Sequence, residues 1–140
     1  MRFFLAAAAI MMLLLSCKGN DLQNIDLTSG DLPALNTVTV ESDSNRFVFE
    51  TRAEKMNLEQ SYPLEFDASR LLFIVTVTSY REGSATMTLL DAGGNKLRED
   101  DLNGNRIQTL RFTLAAAPAR IDVKLEGYSG DISVVYKENQ

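Results

Sequence analysis

Along most of the chain, apolar and polar residues alternate with a period of two, the pattern of strands that bury one face. The clearest run is 119–126, where Ala119, Ile121, Val123 and Leu125 alternate with charged residues. The same alternation recurs in five more runs, whose apolar members are Val38 and Val40; Phe47 and Phe49; Tyr62, Leu64 and Phe66; Ala85, Met87 and Leu89; and Ile132, Val134 and Tyr136. The pattern therefore predicts an all-β domain after Asn36.

Three departures from simple alternation predict how individual strands are placed. Residues 71–77 are apolar on both faces, which is typical of a central strand. Pro63 lies inside a strand pattern and predicts an edge strand, because proline cannot donate a ladder hydrogen bond. Ile107 has the opposite parity to Leu110, which predicts a bulge at position 108 or 109.

Short runs of Gly, Asn, Asp and Ser separate these patterns and predict hairpin turns. The five predicted turns lie at 42–45, 82–84, 91–95, 103–105 and 127–131. Residues 51–60 are rich in helix formers, which favours one helical turn there. About seven to nine short strands without helical crossovers predict an antiparallel β-sandwich, and a closed β-barrel is the alternative.

The first 16 residues have the pattern of an export signal rather than of a strand. Arg2 precedes an apolar run at 3–15, which the small residue Ser16 follows. The run is shorter than the roughly 20 apolar residues that cross a bilayer as a helix. Residues 17–36 are rich in Asn, Asp, Gly, Ser and Thr and predict a flexible tether. The predicted organisation is a signal peptide at 1–16, a tether at 17–36 and the sandwich domain at 37–140.

The residues Leu14-Leu15-Ser16-Cys17 at the end of the apolar run resemble the lipobox of bacterial lipoproteins. In that family the cysteine carries a diacylglycerol and a peptidase cuts the chain just before it. The resemblance covers about the first 20 residues and implies that Cys17 is lipidated and anchors the mature chain to a membrane. Lys18 stands where an Asp favours inner-membrane retention in the family. The resemblance therefore implies the outer membrane in an organism with two membranes.

Residues 83–136 resemble, in the style of their turns, the pre-peptidase C-terminal β-sandwich modules of secreted bacterial proteins. The resemblance rests on the Leu-Leu-Asp-Ala-Gly-Gly-Asn turn at 89–95 and the Leu-Glu-Gly-Tyr-Ser-Gly-Asp hairpin at 125–131. Those modules are non-catalytic, so the resemblance implies a module without enzymatic activity. It assigns no functional residue to this chain.

Composition narrows the chemistry further. The chain has no His, and lipidation uses its one Cys, so the mature protein has no disulfide, no thiol nucleophile and no histidine base. The chain has 14 basic and 19 acidic residues, and loss of Arg2 with the signal peptide leaves a net charge of −6. That balance gives no electrostatic reason to bind nucleic acid. A hydrolase with two carboxylates stays open, but a solvated surface accounts for most acidic residues, and we expect no enzyme.

One acidic hairpin is a candidate calcium site. Glu99, Asp101 and Asn103 place oxygen ligands at alternate positions before Gly104, as calcium loops do. Leu110 stands at the twelfth position, where such loops have a bidentate Glu. A solvated acidic hairpin is the other interpretation.

Two tyrosines are candidate ligand-binding residues. Tyr80 and Tyr128 lie at predicted strand ends or turns, where an exposed ring can stack on a sugar, whereas Tyr62 and Tyr136 share a face with apolar residues. The sequence as a whole predicts a non-catalytic envelope lipoprotein that presents its domain to an envelope protein or to a second copy. The alternative is a carbohydrate- or calcium-binding module.

Overall fold

The computed structural model describes residues 33–139, and the signal peptide, Cys17 and most of the predicted tether lie outside that range. The described residues form six strands and no helix. The strands are β1 (Val38–Asp43), β2 (Arg46–Pro63), β3 (Arg70–Leu90), β4 (Lys96–Asp101), β5 (Arg106–Thr113) and β6 (Arg120–Glu138). Every pair of neighbouring strands is antiparallel, so the predicted all-β antiparallel class is confirmed.

Hydrogen bonds join all six strands into one sheet with the order β1-β2-β6-β3-β4, and β5 also pairs with β3. β6 pairs with β3 along one side. On the other side, β5 pairs with the first half of β3 and β4 pairs with the second half. Residues 71–77 therefore lie in a central strand, as predicted. β2, β3 and β6 are 18, 21 and 19 residues long, several times the usual strand of about five or six.

The long strands bend so that their two halves face each other. The rings of Phe47 and Tyr62 have centroids 5.7 Å apart, although both belong to β2. A straight strand would separate them by about 50 Å, at about 3.3 Å per residue. The register shifts between residues 53 and 58 of β2 and between 78 and 84 of β3, and β6 lies between these two segments. Bulges of this kind let strands turn from one layer into another.

The bends divide the sheet into two stacked layers. A five-stranded layer contains β1, β5, the first halves of β2 and β3, and the second half of β6. A four-stranded layer contains β4 and the other halves of β2, β3 and β6. The core between them is mainly apolar, and Phe47, Phe49, Phe73, Met87 and Ile121 are all at most 1% exposed. The predicted sandwich is confirmed.

The strand count and the barrel alternative are corrected. Two predicted hairpin turns, 82–84 and 127–131, lie inside β3 and β6, so the described chain has six strands rather than seven to nine. Their glycines make bends, not chain reversals. The sheet is open at β1 and at β4 and β5 in the described residues, so the closed barrel is wrong.

Two local predictions are wrong and one is confirmed. β5 keeps an unbroken register with β3, so no bulge occurs near residue 108, and Ile107 is simply 80% exposed. Residues 51–60 belong to β2 and form no helical turn. The second half of β2, which ends at Pro63, pairs only with β6 among the described residues, so this segment is an edge as predicted.

The last residues of the predicted tether are attached to β2. Leu35 bridges to Arg52, and the Asn36 side chain accepts from the Glu54 amide (2.7 Å) and donates to its carbonyl (3.2 Å). The chain thus enters the sheet beside the bend of β2. Residues 33–139 include no helix of the length and apolarity that crossing a membrane requires.

Candidate functional site: a groove at the strand bends

The strand bends hold two residues in an unfavourable backbone conformation. Lys55 and Ser79 have φ angles of 50° and 56°, which cost roughly 1–2 kcal/mol each for residues other than glycine. The Lys55 amide donates to the Ser129 hydroxyl (2.9 Å), and the amide of Tyr80 donates to Oδ1 of Asn105 (2.8 Å). Such strain persists only where surrounding bonds hold it, and it clusters at functional sites.

Two glycines let β3 and β6 approach each other at these bends. Gly83 has a φ of +86°, and a Cβ on it would lie 2.3 Å from the carbonyl oxygen of Gly127. A Cβ on Gly130 would lie 3.0 Å from Cα of Tyr80. No larger residue fits at Gly83 without moving the backbone of β6.

A cavity of about 570 Å³ opens beside the bends, and we name it the bend groove. Its size is within the range of about 300–1,000 Å³ that is usual for small-molecule sites. The residues that line it include Gly130, Leu35, Arg52, Glu54, Tyr80, Arg81 and Asp131.

The bend groove combines charged groups of both signs with one aromatic ring. Arg52, Arg81, Glu54 and Asp131 are in no ion pair within residues 33–139. The Tyr80 hydroxyl donates to the Gly83 carbonyl (2.8 Å), which fixes the orientation of the half-buried ring. Guanidinium and carboxylate groups beside a fixed ring can hydrogen-bond and stack on a polar ligand.

A second polar cluster lies between the layers around the buried carboxylate of Asp100. The Arg98 guanidinium donates three hydrogen bonds of 2.6 to 3.0 Å to the carboxylate of Asp100, which also accepts from the Tyr136 hydroxyl. Arg98 also covers the ring of Phe112, at 4.1 Å from its centroid. The bond to Asp100 raises the pKa of Arg98, and burial raises the pKa of Tyr136 well above its usual value. The cluster joins the layers, and these bonds occupy the carboxylate of Asp100.

The structure does not assemble the candidate calcium site. Asp101 Oδ1 accepts from the Asn103 amide and Asn103 Oδ1 accepts from the Ala85 amide, both at 2.7 Å, while Glu99 pairs with Lys96 at 3.2 Å. Within residues 33–139, no three Asp, Glu, His or Cys side chains come close enough to hold a metal ion. The oxygens of Asp101 and Asn103 instead stabilise the connection between β4 and β5, two strands that pair with different halves of β3.

The two candidate tyrosines have different surroundings. Tyr128 is fully buried, which contradicts its predicted exposure, and its hydroxyl donates to the Leu102 carbonyl (3.0 Å). Burial raises the pKa of Tyr128 accordingly. Tyr80 lines the bend groove, and its ring lies 5.6 Å from that of Tyr128.

Sequence reasoning missed the charged residues of the bend groove. Arg52, Arg81 and Asp131 lie on different strands, and only the bends bring them together. The one signal in the sequence was the pair Gly127 and Gly130, which the pattern assigned to a hairpin turn.

Comparison with known proteins shows no family. No protein-family model matches the chain, and no curated protein matches it. Among solved structures, it is similar to the enzymatically active domain of tailspike protein 4 of bacteriophage CBA120, with 20% identity and a TM-score of 0.36 over 75% of this chain and 18% of that one. It is also similar to the capsular polysaccharide assembling protein CapF of Staphylococcus aureus, with 9% identity and a TM-score of 0.32 over 79% of this chain and 30% of that one. The chain spans less than a third of either protein, and likenesses this distant carry no argument about function.

Proposed function

We propose that the chain is a membrane-anchored cell-envelope lipoprotein whose β-sandwich is a non-catalytic interaction or structural module. The observation that carries the proposal is the Leu14-Leu15-Ser16-Cys17 sequence directly after a short apolar run. Lys18, in place of Asp, favours the outer membrane in an organism with two membranes. One domain that begins near residue 33 is what such an anchor would hold.

The buried polar groups of the described residues have structural roles. The buried polar or charged residues of the described part are Thr51, Asp100 and Ser129. Thr51 donates to the Thr37 carbonyl (2.7 Å), and Ser129 accepts from the Lys55 amide. The carboxylate of Asp100 accepts from Arg98 and Tyr136. A general acid or base needs a free lone pair or proton facing substrate, and these groups are occupied by structural bonds.

The open edges of the sheet support an interaction role. β1 and β5 each pair with one strand only among the described residues, so their outer edges keep unpaired amide and carbonyl groups. Addition of a partner strand to such an edge is a common way of binding peptides or second copies. The partner is then an envelope protein or a second copy of this chain.

Two experiments test the proposal. Palmitate labelling in a bacterial host should mark the full-length chain and not Cys17→Ala. Mass spectrometry of the purified protein should find an acylated N-terminal peptide that begins at Cys17. An unacylated N-terminus, or cleavage elsewhere, would contradict the anchor. Pull-down from the native envelope should then recover a defined partner or a second copy, and a chain recovered alone would contradict the interaction role.

A second candidate function is carbohydrate binding, and the bend groove favours it. The groove holds the oriented ring of Tyr80 beside Arg52, Arg81 and Asp131. A glycan array probed with the fragment 18–140 should show binding that Arg81→Ala reduces. The matched control is Arg120→Ala, which changes an exposed residue of the four-stranded layer and should bind as wild type does. An array without specific binding would remove this candidate.

A further inference from the structure

The outer face of the five-stranded layer carries four cations at the end away from the bends. We name Arg46, Arg70, Arg111 and Lys137 the basic face. Arg46 pairs with Lys137, and Leu72 pairs with both Lys137 and Arg111, so these four residues form one row across four strands. Arg70 lies on β3 two residues before Leu72, in the next row. With strands about 4.8 Å apart, the row is about 15 Å wide. All four cations are exposed, on a chain whose net charge is −5.

Apolar side chains continue the same face. The adjoining row contains Val48, Val135 and Ile74, which are direct cross-strand neighbours. Ile74 is 36% exposed, and Ile107, one row further, is 80% exposed. Val48 is itself buried, so the cations border two exposed apolar side chains on this face, Ile74 and Ile107.

Among the described residues, no acidic residue lies between the four cations, and Asp43 at the end of their row is the cross-strand partner of Arg46. The carboxylates on this face are Glu41 and Asp43 on β1, and Glu50 and Asp131 on the rows nearer the bends. Asp43 Oδ1 accepts from the Asn45 amide (3.0 Å), and Glu50 Oε1 accepts from the Ser133 hydroxyl (3.1 Å).

A shallow cavity beside Lys137 adds space at this end. It has a volume of about 400 Å³, and Leu72, Lys137 and Glu138 are among the residues that line it. Glu138 Oε1 is held by the amides of Asp67 (2.6 Å) and Ala68 (2.8 Å), which occupies that carboxylate oxygen. The cavity leaves space beside Lys137 at this end of the face.

We propose that the basic face lies on the anionic lipid headgroups of the membrane that holds the Cys17 anchor. The inference rests on the proposed function, because the anchor is what brings a membrane to this face. Cations near an anionic bilayer are attracted to it, and a basic patch is a recognised second signal beside an acyl chain. The exposed Ile74 and Ile107 supply the apolar contact that such a surface accepts.

The position of the chain entry is compatible with this contact. Leu35 bridges to Arg52, six residues along β2 from Arg46, or about 20 Å at about 3.3 Å per residue. The chain thus enters the domain within about 20 Å of the basic face.

Vesicle co-sedimentation tests the proposal with the fragment 18–140, which contains the whole compact unit Leu32–Gln140. The fragment should sediment with vesicles that contain phosphatidylglycerol and remain free with pure phosphatidylcholine. Binding should weaken as salt is added, because exposed charges are screened. The double variant Arg46→Glu with Lys137→Glu should bind at least about tenfold more weakly, since each cation contributes roughly fivefold.

A matched control separates the basic face from net charge. Arg120→Glu with Lys124→Glu makes the same change of charge on the outer face of the other layer and should retain most of the binding. Arg46→Lys with Arg111→Lys keeps the charge and should also bind. Equal loss in both charge-reversed variants, no preference for anionic vesicles, or binding only to a soluble acidic polysaccharide would overturn the proposal. The fragment lacks the anchor, so this result is independent of the labelling test of Cys17.

Discussion

The hydroxyl of Tyr136 donates a hydrogen bond of 2.7 Å to Oδ2 of Asp100, and the two residues belong to opposite layers of the sandwich. Both residues are buried. Arg98, which lies on the same strand as Asp100, forms an ion pair with its carboxylate. The bond fixes how β4 packs on β6 at the centre of an apolar core. Buried polar groups of this kind are costly when a partner is removed.

We expect Tyr136→Phe to lower the free energy of unfolding by about 1.5–3 kcal/mol, the contribution of a hydrogen bond to a charged group. Chemical denaturation followed by circular dichroism measures the change. Tyr62→Phe is the matched control, because Tyr62 is half-buried and its hydroxyl has no hydrogen bond within the described residues. It should change stability by less than about 0.5 kcal/mol. Equal effects of the two variants would refute a special role for the bond to Asp100.

Two glycine substitutions should separate backbone conformation from steric contact. Gly83 and Gly94 have φ angles of +86° and +84°, but only at Gly83 would a Cβ meet other atoms. Gly94→Ala should cost about 1–2 kcal/mol through its conformation alone. Gly83→Ala should cost roughly 1–3 kcal/mol more, since β6 must move away. Denaturation midpoints of the two variants give the difference, and equal values would show that β3 and β6 do not approach closely at the bend.

Alkaline pH should destabilise the fold through its buried phenols. Burial raises the pKa of Tyr128 and Tyr136 in the folded chain, whereas unfolded tyrosine titrates near about 10. The folded state thus favours the protonated phenols. Their contribution to the free energy of unfolding is complete below about pH 10 and is lost as the pH rises above it. Near-ultraviolet absorbance of tyrosinate should show these two residues ionising only as circular dichroism reports unfolding. Ionisation of all four tyrosines in a still folded protein would contradict their burial.

Millimolar calcium should leave the melting temperature of the fragment 18–140 unchanged. A ligand that binds only the folded state raises the melting temperature, and Asp101 and Asn103 already accept backbone hydrogen bonds. Magnesium at the same concentration is the control for ionic strength. A rise with calcium alone that Asp101→Asn abolishes would restore the metal site.

Alternation of apolar residues was sufficient to predict the antiparallel all-β class but not the number or bounds of the strands. It placed 71–77 at the centre of the sheet and Pro63 on an edge, because both inferences depend on local chemistry. It failed where one local signal has two structural outcomes. Gly127 and Gly130 permit either a hairpin turn or a bend in a continuous strand, and only pairing with β2 and β3 on both sides decides between them.

The candidate sites likewise depend on how the strands bend and pair. The exposure of Tyr80 and Tyr128 depends on the bends, which bury Tyr128 and leave Tyr80 lining the groove. The basic face is also a product of register, since its four cations come from β2, β3, β5 and β6. Charge counts along the sequence give only a net acidic chain.

The passage of β2, β3 and β6 through both layers restricts how the protein can change during evolution. Extra residues inside any of these strands would shift the pairing of one layer against the other and expose buried side chains. Short connections such as 44–45 and 91–95 interrupt no ladder and can lengthen freely. New loops, and with them new binding specificities, are therefore expected at the hairpin tips of homologous chains rather than along the bends.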